Sequence, residues 1–535
     1  MQEILLLCLV LVLSVCFLIL LAQRLKIAYP IFLVASGLVI SFIPGIPDTR
    51  INPDLVFLII LPPILYDAAQ NTSWKAMWRW RRIITVMALG FVLLTATSVA
   101  LVSYYLIPGF TLAQGFLLGA IVSPPDSAAA TAILRFVKLP KGLVAILEGE
   151  SLLNDATSLT IFRFALIAIV SNHFVWQHAA VGFVLVTLSG IVIGLIIGFI
   201  FYAVFRWLPT TANLDITFSM VLPYMIYLTA EALHSSGVLA VVSGGLFIAY
   251  QNHFVFSHSS RLRSNAIWSS LVFILNAVVF FLIGLQLPQI MANVKDGTLA
   301  FSVLVALIVA LVVILTRLFS GLFSSVFTRF ISRFIKVAQR RPGWRNPVIS
   351  SFMGMRGAVS LASALSIPLL LPGGQVFPNR NIILFITFTV IIVTLVGQGL
   401  ALPWLLKKIK PQFFPGEKSD EQQIMEIESR LYNSALEKFS TKYPSDIENN
   451  AFLKNKFDLY NFKIKLLGGS NNEKPAGEIA NNLLSHFRQV MMEIIEHERR
   501  ELHTFRKKDG YDDDVIRIIE NRLDLEEEGL EKESE

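Results

Sequence analysis

The chain has 535 residues, of which 54% are hydrophobic and only 16% charged, with a mean hydropathy of +0.63. That balance is far from a soluble domain's. The formal net charge of +7 is unevenly divided, with +16 in residues 1–410 and −9 in residues 411–535. The basic pI therefore reports membrane-flanking loops facing anionic lipid, not a nucleic-acid-binding surface.

A bilayer-spanning helix needs about 20 mostly apolar residues. Thirteen segments qualify in chain order: 3–22, 28–44, 54–70, 83–107, 112–135, 143–170, 181–206, 214–232, 237–252, 266–287, 299–322, 347–371 and 382–405. The first starts "MQEILLL", with neither a positive n-region nor a small-residue cleavage site, so it reads as a span and not a signal peptide. Cys8 and Cys16 both lie in it, which argues against a disulfide framework. Alternate connections carry the basic clusters "QRLK", "WKAMWRWRR", "RFVKLPK", "SSRLRS", "TRFISRFIKVAQRRPGWR" and "KKIK". The other connections hold only Arg50, Lys295 and Arg380. The positive-inside rule puts the first set in the cytoplasm. The chain is then expected to cross a cell (inner) membrane many times, with its N-terminus outside and its C-terminus inside.

Polar residues inside the spans are expensive and therefore informative. The fifth span reads "LLGAIVSPPDSAAATAIL". Its two prolines remove backbone donors and interrupt helical pairing, leaving carbonyls to be satisfied internally or by an ion. Asp126 follows at once, near the positive end of the second half-helix. A proline kink alone is the plainer alternative. The sixth span holds "GESLLND". On a helix, Glu150 and Asn154 are one turn apart, as are Ser151 and Asp155, so all four share somewhat under half the circumference. Four oxygen-bearing side chains on one arc suit a hard cation. A polar knot that glues helices is the alternative.

Gly190, Gly194 and Gly198 in the seventh span are spaced by four, a pattern that lets a neighbouring helix approach closely. The eleventh span ends "VVILTRLFSGLF", placing Arg317 in or near the membrane, and the twelfth reads "SFMGMRGAVSLASALSIP", with Arg356 between two glycines. These cations would lower the cost of burying the acids, Arg317 by pairing or by snorkelling, Arg356 also by bridging carbonyls. Asp67 reads as a helix-end charge; Glu231 and His234 read as packing residues at an outer turn. Arg163 is expected to pair locally or to snorkel.

The interrupted spans are the fifth and the twelfth. If spans 1–6 and 8–13 are two six-helix repeats, each break falls in the fifth helix of its repeat, and the linking seventh span makes the repeats run in opposite directions. Interrupted segments at matching places in inverted repeats mark a transporter's midplane site. After "KKIKPQFFPGEK" the composition changes. Residues 411–535 are expected to form a helical cytoplasmic tail, with "LGGSNNEKPAGE" as a linker and a last helix starting near "YDDDVIRIIE". Residues 1–410 form the transmembrane domain in this reading.

"GESLLND", "VSPPDSAA", "GMRGAVS" and "AEALHSSGVLAVV" together resemble the monovalent cation:proton antiporter-1 family, the NhaP-type sodium/proton exchangers. The resemblance covers roughly residues 1–410. It implies an all-α fold of about thirteen spans in two inverted repeats with crossed, interrupted helices, and a homodimer whose core, helices 4–6 and 11–13, moves. It implies that Asp155 binds the ion or the proton, that Glu150 and Ser151 help, and that Arg317 pairs with Glu150. Arg356 matches the glycine-flanked arginine of the twelfth helix. Asn154 stands where electrogenic relatives tend to have a second Asp. Pro125-Asp126-Ser127 stands where many members have Thr-Asp-Pro, so Pro125 offers the carbonyl and the hydroxyl is missing.

The expected function is electroneutral antiport of Na⁺, with K⁺ or Li⁺ as further candidates, against H⁺ at Asp155. The rivals are a channel-like conductor and a membrane sensor acting through the tail. No P-loop, dinucleotide fingerprint, metal-ligand spacing or nucleophile elbow appears, so neither enzyme chemistry nor a cofactor is expected.

Overall fold

The structure is a computed structural model. It describes residues 2–43, 56–126, 139–171, 176–256, 258–286, 299–334, 342–371, 374–413 and 420–468, with isolated positions between them and short stretches after 486. The chain divides into two compact units, Met1–Phe414 and Pro415–Glu535. Among the described residues there is no β-strand, only an isolated bridge between Leu370 and Val376.

The first unit begins with α1 (Gln2–Arg24), α2 (Tyr29–Ser41) and α3 (Leu61–Asn71), the last entered through a wide π turn at Val56–Ile60. It continues with α4 (Trp74–Leu106), α5 (Leu112–Val122), α6 (Lys141–Ser171) and α7 (Trp176–Trp207). Then come α8 (Ala212–Ala232), α9 (Gly237–Val255), α10 (His258–Leu285) and α11 (Leu299–Ile331). The twelfth predicted span is two short helices, α12 (Arg345–Phe352) and α13 (Ala358–Leu365), and the last is α14 (Arg380–Lys408). Six described segments are long and apolar enough to cross a membrane unaided: α4, α6, Val181–Trp207 of α7, Ser260–Leu285 of α10, Ala300–Ile331 of α11, and α14. Every predicted span overlaps a described helix, although residues 127–135 of the fifth lie outside the described residues.

One expectation changes. The basic stretch "WKAMWRWRR" is not a loop; it is the first part of α4. Ser73 caps it, its Oγ accepting from the Ala76 N–H at 3.3 Å. Trp80 and Ile84, one turn apart, are buried, so apolar residues at helical spacing outweigh the charges between them. A π turn at Val86–Phe91 joins this part to the apolar remainder.

Close helix approach is set by small residues. A Cβ on Gly190 would meet the Ser236 carbonyl at 2.7 Å, and one on Gly194 would collide with the Ala240 carbonyl, so α7 packs backbone to backbone on α9. Likewise Gly115 and Gly119 of α5 lie on the backbone of Ala100 and Ala96 in α4, and Gly37 of α2 crosses Gly284 of α10. Outside these contacts α7 presents Leu185, Leu188, Val192, Ile196 and Phe199 outward, as a lipid-facing helix does.

The second unit starts with α15 (Asp420–Lys442), α16 (Pro444–Asn449) and α17 (Ala451–Gly468). The Tyr432 and Tyr460 rings pack 5.2 Å apart, and Phe439 meets Phe457, so α15 and α17 form an antiparallel pair. The expected linker and the helix near 511 lie outside the described residues, apart from scattered positions.

The α7–α9 contact gives a graded prediction. Gly194→Ala should destabilise the protein by about 1–3 kcal/mol through overpacking. Gly198→Ala should cost clearly less, because its added Cβ would come only to 3.3 Å of the Gly244 Cα, a tight contact and not a collision. Thermal melts of the purified variants check the difference; equal Tm values would mean that the helices do not meet at Gly194.

Candidate functional site

Two helix breaks meet. α5 ends at Val122, and residues 123–126 are not helical; α12 ends at Phe352, and α13 begins at Ala358. The Asp126 N–H donates to the Met355 carbonyl at 2.6 Å, tying one break to the other. Arg356 is fully buried between them. Its Nε donates to the Val122 carbonyl at 3.0 Å, its Nη1 to the Gly354 carbonyl, and its Nη2 reaches the Ser123 carbonyl at 3.5 Å. The Arg356 N–H donates to Thr394 Oγ1 in the π turn of α14. The arginine thus satisfies carbonyls that the proline break frees, and its charge suits the negative end of α5. Of the readings open for Arg356, carbonyl bridging is the one this geometry has.

Gly357 is small for a reason. A Cβ there would collide with the Asp126 carboxylate. Gly354 is similar, since a Cβ would come within 2.9 Å of Arg317 Nε.

α6 brings the acids. Glu150 is 1% exposed, and both its oxygens accept from Arg317 of α11: Nη1 to Oε1, and Nη2 to Oε2 at 2.7 Å. Arg317 is itself buried, so it does not snorkel. Ser351 Oγ donates to the Arg317 carbonyl, which ties α12 to the same point. Asn154 is fully buried; its Nδ2 donates to the Pro125 carbonyl at 3.4 Å, while its Oδ1 has no hydrogen-bond partner among the described residues.

Asp155 and Ser151 face elsewhere. They line a cavity of about 360 Å³, together with Pro125 and Asp126. Asp67 of α3 and Glu148 of α6 also line it, as do Asn276 and Ser360, and among the described residues no Lys, Arg or His does. Four carboxylates make the cavity attractive to cations. Among the described residues, no group of three or more His, Cys, Asp or Glu converges as a metal cage. The acids are strung along the cavity instead.

The predicted residues therefore separate. Asp155, Ser151, Pro125 and Asp126 come together at the cavity; Glu150 and Arg317 form a pair beside it; Asn154 and Arg356 hold the breaks. Glu150 is not among the cavity-lining residues. Asp67, read from sequence as a helix-end charge, lines the cavity. Its signal was an acid just after "LPPILY" within an apolar span. On the other side of Asp155, two turns further along α6, Arg163 Nη2 donates to both Glu231 oxygens of α8 at 2.6 Å. Glu231 also accepts from the Gly237 N–H, which draws in the start of α9.

Comparison with known proteins gives a consistent picture. The sodium/hydrogen exchanger transmembrane family model matches residues 10–408. An uncharacterized Na(+)/H(+) exchanger of Mycobacterium tuberculosis is 30% identical over 513 residues, covering 95% of this chain and 92% of the relative. A sodium, potassium, lithium and rubidium/H(+) antiporter of Bacillus subtilis is 34% identical over 387 residues, covering 71% of this chain and 58% of the relative. The solved structure of the sodium proton antiporter MjNhaP1 from Methanocaldococcus jannaschii superposes with a TM-score of 0.60 at 18% identity, covering 75% of this chain and 97% of that one. The last likeness shows a shared all-helical fold.

Removing one partner of the Glu150–Arg317 pair strands a buried charge, which costs about 3–5 kcal/mol. Glu150→Gln and Arg317→Gln should each lower Tm, and the double variant should recover part of the loss. A double-mutant cycle on the purified protein checks it; strictly additive losses would mean that the two side chains do not interact.

Proposed function

We propose that this chain, which belongs to the sodium/hydrogen exchanger family, is a secondary antiporter that exchanges Na⁺ for H⁺ at the Asp155 carboxylate. The observation that carries the proposal is the position of Asp155 in an acid-lined cavity beside two broken helices. A carboxylate in a low-dielectric site is stable only when neutralised, by a proton or by a cation. The two ligands exclude each other, so moving one through the cycle drives the other in the opposite direction. Each loaded form carries the same local charge, which makes the exchange electroneutral. Asn154 supports this, because it keeps a further carboxylate from standing next to Asp155 on α6.

Ser151 and Asp126 supply further oxygens to the cation, with Pro125 offering its carbonyl when Asn154 releases it. Glu150 acts through Arg317, fixing the phase of α6 against α11, so that Asp155 points into the cavity. The broad cation range in the name of the Bacillus subtilis relative supports K⁺ and Li⁺ as further substrates.

The cavity reaches Asn71 and Thr72, at the end of α3 next to the basic start of α4. By the positive-inside rule that end is cytoplasmic. The Arg163–Glu231 pair lies on the opposite side of Asp155, so this is an inward-facing form. In the same reading, the N-terminus is outside a cell (inner) membrane, and the two breaks occupy matching places in inverted six-span repeats. α4–α6 and α11–α14 then rock against the remaining helices, which hold a homodimer together. Residues 411–535 form a regulatory cytoplasmic tail.

Dequenching of a pH dye in everted vesicles, with Na⁺, K⁺ and Li⁺ added separately, tests the exchange. Asp155→Asn should abolish it while the protein stays folded, because an amide cannot trade a proton for a cation. Near wild-type exchange by purified Asp155→Asn would sink the assignment, and cation flux without proton counterflow would make the protein a conductor instead. Truncation after Lys410 should leave exchange intact but shift its pH or cation dependence, since it removes a segment with a net charge of −9. Superimposable pH profiles of the two forms in the same vesicles would leave the tail without a regulatory role.

A further inference from the structure

A second cleft has no part in that chemistry. α4 and α11 each have 33 residues, about 50 Å of helix, against a hydrocarbon core of about 30 Å. The excess must project into the headgroup layer. The start of α4 and the end of α11 project together, and between them lies a cleft of about 470 Å³. Its rim carries Arg79, Arg81, Arg82, Trp80, Ser324 and Thr328, and among the described residues no acid lines it.

We propose that this cleft binds the headgroup phosphate of an anionic phospholipid. Three arginines within a single turn of α4 line the cleft and supply the positive charge that a phosphate calls for. Two are steadied by aromatic rings. Arg81 lies 4.4 Å from the centroid of the Trp78 ring and also donates to the Trp78 carbonyl, and Arg79 lies 5.9 Å from the centroid of Trp80. Trp74 and Trp78 are exposed, as tryptophans at a membrane interface are. The Ser324 and Thr328 hydroxyls on α11 add donors across the cleft. Phe327 and Ile331 give it an apolar wall, which a soluble anion does not need and an acyl chain does.

The occupant has a mechanical role. α4 packs on α6 where Gly149 meets the Ile84 side chain, and α11 carries Arg317. A lipid held between α4 and α11 therefore ties together the helices that set the phase of α6. The inference rests on the membrane placement alone and not on which ions are exchanged.

The test uses delipidated full-length protein in detergent, with Tm measured after adding phosphatidylglycerol, phosphatidylcholine or inorganic phosphate. Phosphatidylglycerol should raise Tm by about 3 °C more than phosphatidylcholine does. The Arg79→Gln/Arg82→Gln variant should lose that increment and keep the phosphatidylcholine response. Thr328→Phe keeps all three arginines but fills the cleft, and should lose the increment as well; it decides the matter if the double variant fails to fold. Three results would overturn the proposal: no phosphatidylglycerol increment in the wild type, an increment that survives Thr328→Phe, or the same rise from inorganic phosphate alone, which would assign the cleft to a soluble anion.

Discussion

A helix that stops inside a bilayer leaves carbonyls that no water reaches, and each must find a partner within the protein. α5 stops at Val122, and Arg356 takes the carbonyls of Val122, Ser123 and Gly354. A neutral donor could satisfy one of them; a guanidinium satisfies several and brings a charge that suits the end of α5. The Asp126–Met355 backbone bond then fixes one break against the other. With the breaks fixed, the Asp126 carboxylate sits against Gly357, and the wall of the cavity is set. The position of the acid-lined cavity thus follows from satisfying a few peptide groups.

The two carboxylates of "GESLLND" show how one helix can hold two acids for different purposes. Glu150 and Asp155 are five residues apart, so they point in directions well over 100° apart. One meets Arg317 and becomes part of the packing; the other meets the cavity. Had the spacing been four, both would face the same side and compete for the same arginine. Asn154 is placed to hydrogen-bond the Pro125 carbonyl, which an aspartate would repel unless protonated.

Much of this was legible in the sequence, because the signals are local. Apolar runs gave the helices, "VSPPDS" gave the break after α5, and "GMRGAVS" gave the one before α13. The four-residue glycine spacing in α7 anticipated its contact with α9. The failures share a cause. Helical phase places residues on one arc, but it does not say what faces that arc. Glu150 and Ser151 share an arc yet have different neighbours, and Asp67 joins the cavity from a helix some ninety residues away. "WKAMWRWRR" misled because charge density reads as a loop, while its aromatic spacing reads as helix, and the packing of Trp80 and Ile84 decides for the helix.

The Glu150–Arg317 pair spans 167 residues of chain, and that distance is also an interval of time. At about 5–20 residues per second, the ribosome takes roughly ten to thirty seconds to deliver Arg317 after Glu150. During that interval α6 has entered the membrane without its permanent partner. Until then the acid has no arginine to pair with, and an unpaired charge in lipid is costly. Arg356, the group that closes the break after α5, arrives later still. The first six helices therefore cannot settle as a finished half; they are held open by their own chemistry until the second half is made. Assembly of the site therefore waits for the second half of the membrane unit, and a nascent chain halted before α11 should be a substrate for membrane quality control.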